Sequence, residues 1–124
     1  VTDVTHDTGT PSMNKKKNGN IKGGKGPTIT YAPPVHYKLL DEVIKAAEDK
    51  EIPFQREASS RRTGTDTDAF AYSNDGVPSV LISLPLRYMH TTVEMAHKDD
   101  IENVVRLIYE TLKRIHPEMS FKYI

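Results

Sequence analysis

Thr63-Gly-Thr-Asp-Thr-Asp-Ala-Phe-Ala-Tyr-Ser-Asn-Asp-Gly-Val-Pro-Ser-Val-Leu-Ile-Ser-Leu-Pro-Leu-Arg-Tyr-Met-His90 holds a helix start, a glycine stop, a buried strand and a polar loop in succession. Thr65 can cap the helix, with Asp66 and Asp68 in its first turn, where acids complement the positive end of the helix dipole. That helix is predicted to run to about Asn74, with Gly76 as its stop. Val77 to Leu84 is the most hydrophobic stretch of the chain. Its near-continuous apolar character predicts a strand buried on both faces of an α/β sheet, ended by Pro85. His90 follows just past the carboxyl end of that strand, the place where open α/β sheets present their chemistry.

Outward from this stretch the chain alternates. Val1 to Thr5 is β-branched except for Asp3 and reads as a strand. Residues 7–27 are rich in Gly and Lys and read as a long flexible loop. Lys15, Lys16 and Lys17 lie in it. A solvated loop is preferred over a phosphate-binding patch there, because no aromatic or helical framework supports the latter. Thr28 to Tyr31 is a second strand, and Pro33-Pro34 open a helix. Val35, Leu39, Leu40, Val43, Ile44 and Ala47 form its apolar stripe. Ile52 to Arg56 is a short strand, and residues 57–64 a polar loop. The last helix is expected to start at Asp99 or Asp100, with Glu102 completing a capping box. Its buried face is predicted to be Ile101, Val104, Val105, Ile108, Leu112 and Ile115. The tail from Ser120 to Ile124 can add an edge strand or fray. The order β–loop–β–α–β–α–β–α predicts an α/β fold, a mixed or parallel sheet with flanking helices.

The 124 residues suggest one domain with a modest core. Lys+Arg and Asp+Glu are equal at 17 each, so no strong field favours nucleic acid or a membrane. The chain has no Cys, which excludes disulfides, thiolate zinc sites and a cysteine nucleophile and fits a reducing, cytoplasmic setting. No apolar run approaches the roughly 20 residues that span a bilayer. The chain opens on Val1, inside a predicted strand and without a signal-peptide pattern. The expectation is a fragment, a processed chain or a cloning boundary.

No serine elbow, phosphate loop, HExxH or GxGxxG is present. What remains is histidines and carboxylates near strand ends. Asp3 stands among β-branched neighbours, where an acid needs a partner or a metal. His6 and Asp7 follow it; His90 and Glu94 follow the buried strand. Asp66 and Asp68 are read first as helix-dipole acids. His36, His97 and His116 are read as solvated surface groups. For His90 the residues alone leave a structural role and a ligand role equally open.

Asp3-Val-Thr-His6, Gly23-Gly-Lys-Gly-Pro27, Thr63-Gly-Thr-Asp-Thr-Asp-Ala69 and the run from Gly76 to Ile108 together resemble the C-terminal part of the catalytic domain of the tetrahedral (TET-like) aminopeptidases. That family is also described as glutamyl or deblocking aminopeptidases and, historically, endoglucanases. The resemblance implies a zinc-peptidase α/β domain, a three-layer sheet with flanking helices and a smaller inserted dimerisation domain. It implies two co-catalytic divalent ions, zinc or cobalt, and a glutamate general base that activates water for attack on the first peptide bond. By motif, Asp3 corresponds to the terminal Asp ligand of one metal and His90 to the His ligand of the other. Thr65 and Asp66 correspond to a segment on the substrate side of the cleft, and Glu94 to an acid behind the ligands.

The segment His6-Asp-Thr-Gly-Thr-Pro11 departs from the family's Ala-Thr-Asp-Thr-Pro, while Asp3 is kept. The first His ligand, the bridging Asp, the base and the inserted domain would all precede Val1. A co-catalytic site needs about three protein ligands per metal, so weak or no specific metal binding is expected of this chain alone. The leading reading is therefore part of a peptide-hydrolysing, homo-oligomeric metalloaminopeptidase, inactive by itself. The other reading is a non-catalytic, structural or self-associating α/β module. An endoglucanase reading is disfavoured, because Asp66 and Asp68, two apart at a helix start, would not flank a glycosidic bond.

Overall fold

The computed structural model describes residues 1–122. Five strands and four helices follow one another: β1 (Thr2–His6), α1 (Lys15–Asn18), β2 (Thr28–Tyr31), α2 (Tyr37–Asp49), β3 (Gln55–Ala58), α3 (Asp66–Ala71), β4 (Ile82–Arg87), β5 (Met95–Ala96) and α4 (Lys98–Arg114). The strands form one mixed sheet in the order β1-β4-β2-β3, with β5 also on β4. The β1–β4 and β2–β3 pairs are parallel, whereas β2 meets β4 antiparallel at Thr28↔Ser83 and Ile29↔Ile82. The predicted α/β sheet with flanking helices is present.

Pairing register sorts the sheet into two faces, because side chains alternate along each strand. Ile29, Ile82 and Leu84 point to the face covered by α2 and α4, in a core with Leu40, Val43, Ala46, Ala47, Val104 and Leu107. Ile29, Val43 and Leu107 have no exposed surface, and each such burial stabilises by about 1.5–3 kcal/mol. The opposite face carries Asp3, Thr5, Thr28, Thr30, Ser83 and Glu57, which share the alternate register. Thr28, Thr30 and Ser83 are buried there even though they are polar.

Several boundaries differ from the sequence reading. The strand predicted at Val77–Leu84 lies at Ile82–Arg87, with Pro85 inside it. Ile82 N donates to the Val1 carbonyl and Asp7 N donates to the Leu86 carbonyl, so alternate residues of β4 face β1. Pro85 therefore turns its missing donor to the other side, between the end of β2 pairing and the start of β5 pairing, where no ladder bond is lost. The strand predicted at 52–56 lies at Gln55–Ala58. Pro53 has no donor, and the β2 pairing begins at Gln55. The helix expected from Pro33-Pro34 starts at Tyr37, capped by His36, whose Nδ1 accepts from Leu39 N at 3.4 Å. His36 is 4% exposed rather than a surface group. The helix from Asp66 ends at Ala71, before the expected Asn74.

The last helix starts at Lys98, and its cap is His97, not Asp99 or Asp100. Asp100 is fully buried and accepts from Gly24 N (2.7 Å) and Gly26 N (2.8 Å). That anchor turns α4 so that Asp100, Val104, Leu107 and Thr111 face inward. Ile101, Val105 and Leu112, expected in the core, are 47%, 62% and 63% exposed.

The Gly- and Lys-rich segment carries α1 and is clipped at both ends. Thr8 and Ile21 bond each other, and Asp7 accepts from Gly9 N (2.6 Å) and Gly23 N (2.9 Å). Gly26 has φ +90°, and a Cβ there would stand 2.0 Å from the Pro53 carbonyl oxygen, so only glycine fits. Of the predicted tail, Ser120 to Lys122 is irregular, and Tyr123 and Ile124 lie outside the described residues.

Candidate active site

The polar face of the sheet opens into a cleft of about 370 Å³. Asp3, Thr5, Thr30, Ser83 and Glu57 form its floor; Arg62 to Thr65, His6, His90 and Lys17 are among its walls. The floor exists because β-branched threonines suit strands while their hydroxyls keep one face wet. The walls are the segments that leave the strand ends, where such folds place reactive groups.

Asp3 is half-buried on β1, and its Oδ1 accepts from the next residue's N–H, Val4, at 2.7 Å. His90 is exposed on the turn after β4. Its backbone is left-handed, φ +65°, as is that of Tyr88 at +55°, a conformation that costs a non-glycine residue energy and collects at functional turns. Two bonds hold this turn. Glu94 Oε1 accepts from His90 N at 2.6 Å, and Thr91 Oγ1 donates to the Tyr88 carbonyl at 2.5 Å. Glu94 thus reaches His90 through the backbone, not the imidazole. The His90 ring lies edge-on to that of His6, with centroids 6.5 Å apart.

Thr65 caps α3 by accepting from Thr67 N at 3.3 Å, and it lines the cleft. Asp66 stands in the first turn of α3, exposed to solvent. Asp68 folds back instead. Its carboxylate accepts from Thr63 N (2.9 Å), Thr63 Oγ1 (2.8 Å) and Gly64 N (2.9 Å). Desolvation pushes its pKa up, but these hydrogen bonds and the nearby Arg62 charge outweigh it and hold the group below the usual carboxylate value.

The cleft thus brings Asp3, Thr65 and His90 together from distant parts of the sequence, whereas Asp66 and Glu94 are exposed and are not among its lining residues. Among the described residues no group of three His, Cys, Asp or Glu side chains is placed to hold a metal ion. Two features escape the sequence reading. Glu57 had been placed in a loop, and Asp100 had been taken as a helix-start acid. The alternation of Thr28 and Thr30 around Ile29 was the available signal for a polar sheet face.

A mixed α/β sheet, apolar beneath its helices and polar on the other face, with a carboxylate and an imidazole at its strand ends, has the architecture of an α/β enzyme domain. Residues 1–107 match the model of the M42 glutamyl aminopeptidases, and the chain belongs to that family. A lysyl aminopeptidase of Pyrococcus furiosus is 37% identical over 94 residues, which cover 76% of this chain and 27% of the relative. The crystal structure of a TET aminopeptidase from a marine sediment archaeon, Thaumarchaeota archaeon SCGC AB-539-E09, superposes with a TM-score of 0.84 at 31% identity. It covers 95% of this chain, which spans 33% of that protein. A Pyrococcus horikoshii TET1 peptidase that can assemble into a tetrahedron or a large octahedral shell matches 77% of this chain and 28% of its own, with 33% identity and a TM-score of 0.62. The chain therefore spans about a third of the length of the relatives it matches. No helix among the described residues is long and apolar enough to cross a membrane.

Proposed function

We propose that this chain supplies one side of the active-site cleft of a metal-dependent aminopeptidase. Asp3 and His90 each give one ligand to a pair of divalent ions, zinc or cobalt. The observation that carries this reading is that Asp3, Thr65 and His90, matched to the family's site by motif alone, line one cleft. Ions held there would polarise the scissile carbonyl and lower the pKa of water. The chain's own residues do the positioning. Glu94 fixes the His90 turn, Asp68 fixes the Thr63–Thr65 turn, and Thr65 faces the bound peptide. By themselves these residues fall short of a zinc site, which takes about three protein ligands, so the isolated chain binds metal weakly and has no turnover. The substrate is a peptide with a free N-terminus, the working form is a homo-oligomer, and the setting is cytoplasmic.

The test grafts residues 1–107 in place of the corresponding segment of one of the related aminopeptidases. The chimera should hydrolyse aminoacyl anilides with zinc or cobalt and lose that activity in His90→Ala, while the 124-residue chain alone shows none. A folded chimera without activity, or one indifferent to His90→Ala, refutes the reading.

A further inference from the structure

Glu57 is a cleft carboxylate that neither the motifs nor the proposed metal ligands account for. It lies half-buried on β3. Its Oε1 accepts from Thr5 Oγ1 at 2.5 Å, and its Oε2 from Thr28 Oγ1 at 3.0 Å and Thr30 Oγ1 at 3.4 Å. Two strands, β1 and β2, therefore send three hydroxyls to one carboxylate on β3, across a sheet on which β1 and β3 are the outer strands.

The other shielded carboxylates are neutralised differently. Glu42 and Glu110 are paired with Lys or Arg. Asp3, Asp7, Asp68 and Asp100 take backbone N–H groups. Among the described residues no Lys, Arg or His lies within ion-pair distance of Glu57. A carboxylate drawn partly out of water without a cation is a costly arrangement, and its hydrogen bonds here come from neutral hydroxyls.

The proton count gives the cup its chemistry. Each threonine has one O–H proton, and all three protons are directed at Glu57. What the hydroxyl oxygens have left is lone pairs, and the carboxylate keeps spare acceptor capacity as well. The floor around Glu57, Thr5 and Thr30 thus presents acceptors only. A primary ammonium has three donors and no acceptor, so it complements such a surface in charge and in hydrogen bonding. A neutral amide or a carboxylate does not.

We propose that Glu57, with Thr5 and Thr30, forms a subsite for a primary ammonium group, distinct from the Asp3 and His90 positions. The identity of that ammonium as the free N-terminus of a peptide rests on the aminopeptidase reading; the subsite itself does not.

The experiment uses the 124-residue chain without metal, labelled with ¹⁵N and titrated with L-leucinamide at neutral pH. Saturable shifts are expected at the amides of Thr5, Thr30 and Glu57, and N-acetyl-leucinamide should give none. Glu57→Gln keeps the side chain's size and one acceptor but removes the charge. It should weaken leucinamide binding about tenfold or more, with the circular dichroism spectrum retained. Asp75→Asn, which removes an exposed carboxylate outside the cleft, should leave binding within about twofold. Undiminished binding in Glu57→Gln, loss in Asp75→Asn, or equal binding of the acetylated probe overturns the proposal. Since neither metal nor turnover enters, an inactive chimera leaves this result standing, and an active chimera does not rescue it.

Discussion

Asp68 shows how much a single side chain can settle. It sits where a first-turn acid is expected, yet it turns back to bind Thr63 and Gly64 and so closes the loop that lines the cleft. Its folded pKa lies below the ordinary value because those hydrogen bonds and Arg62 outweigh desolvation. The sign of the linkage follows. The unfolded chain takes up the proton first as pH falls, so the stabilisation is complete above about pH 4 and fades as pH drops through the lower folded value. Asp68→Asn should therefore be less stable than the parent at about pH 6, and the gap in thermal midpoint should narrow towards about pH 3. A gap that stays constant over that range would mean that folding does not lower the pKa of this carboxyl group. At the same scale, His90 and Glu94 show the division of labour in a strained turn. The positive φ at His90 is held by a carboxylate four residues on that touches only its backbone.

Among the elements, α4 joins the Gly-rich segment to the core. Asp100 fixes its rotation by binding two glycine N–H groups, and Val104 and Leu107 then fall into the core. Removing that carboxylate orphans the buried donor of Gly26 and the part-buried donor of Gly24. Asp100→Ala should cost about 3 kcal/mol, read as a lower urea midpoint at unchanged slope; a loss below about 1 kcal/mol would show that the loop finds other acceptors. The same helix explains which part of the fold could be read from the sequence and which could not. Periodicity locates α4 and its length, because apolar residues recur every three to four positions. It cannot choose between two adjacent apolar stripes. The one with Ile101, Val105 and Leu112 is the more hydrophobic, but the buried one is set by a polar anchor to residues more than seventy positions away. Pro85 teaches the complementary lesson. Its local rule is to end a strand, and it is overridden where the missing donor falls between two partners. For the cleft, motif resemblance reached Asp3, Thr65 and His90, whereas Glu57 became visible only once β2 and β3 were paired.

For the whole molecule the open surfaces matter most. On one side α4 exposes Ile101, Val105, Tyr109 and Leu112, between 47% and 63% accessible. Beside it, a shallow hollow is lined by Leu39, Pro78, Ile108, Leu112 and Ile115. β1 pairs only with β4 among the described strands, so its outer edge offers unpaired backbone groups. An apolar helix face next to a free strand edge favours association. The equal count of 17 basic and 17 acidic residues supplies no net charge to oppose it. The chain should therefore associate reversibly as its concentration rises, seen as a weight-average mass climbing above 14.0 kDa in sedimentation equilibrium. Val105→Lys combined with Leu112→Lys changes only exposed positions, so it should return the mass towards the monomer without altering the circular dichroism spectrum. Persistence of a single monomeric species at all concentrations would show that these surfaces are inert. Association unchanged in the double variant would shift the contact to the β1 edge, where a charged residue in place of the exposed Thr2 is the next substitution to measure.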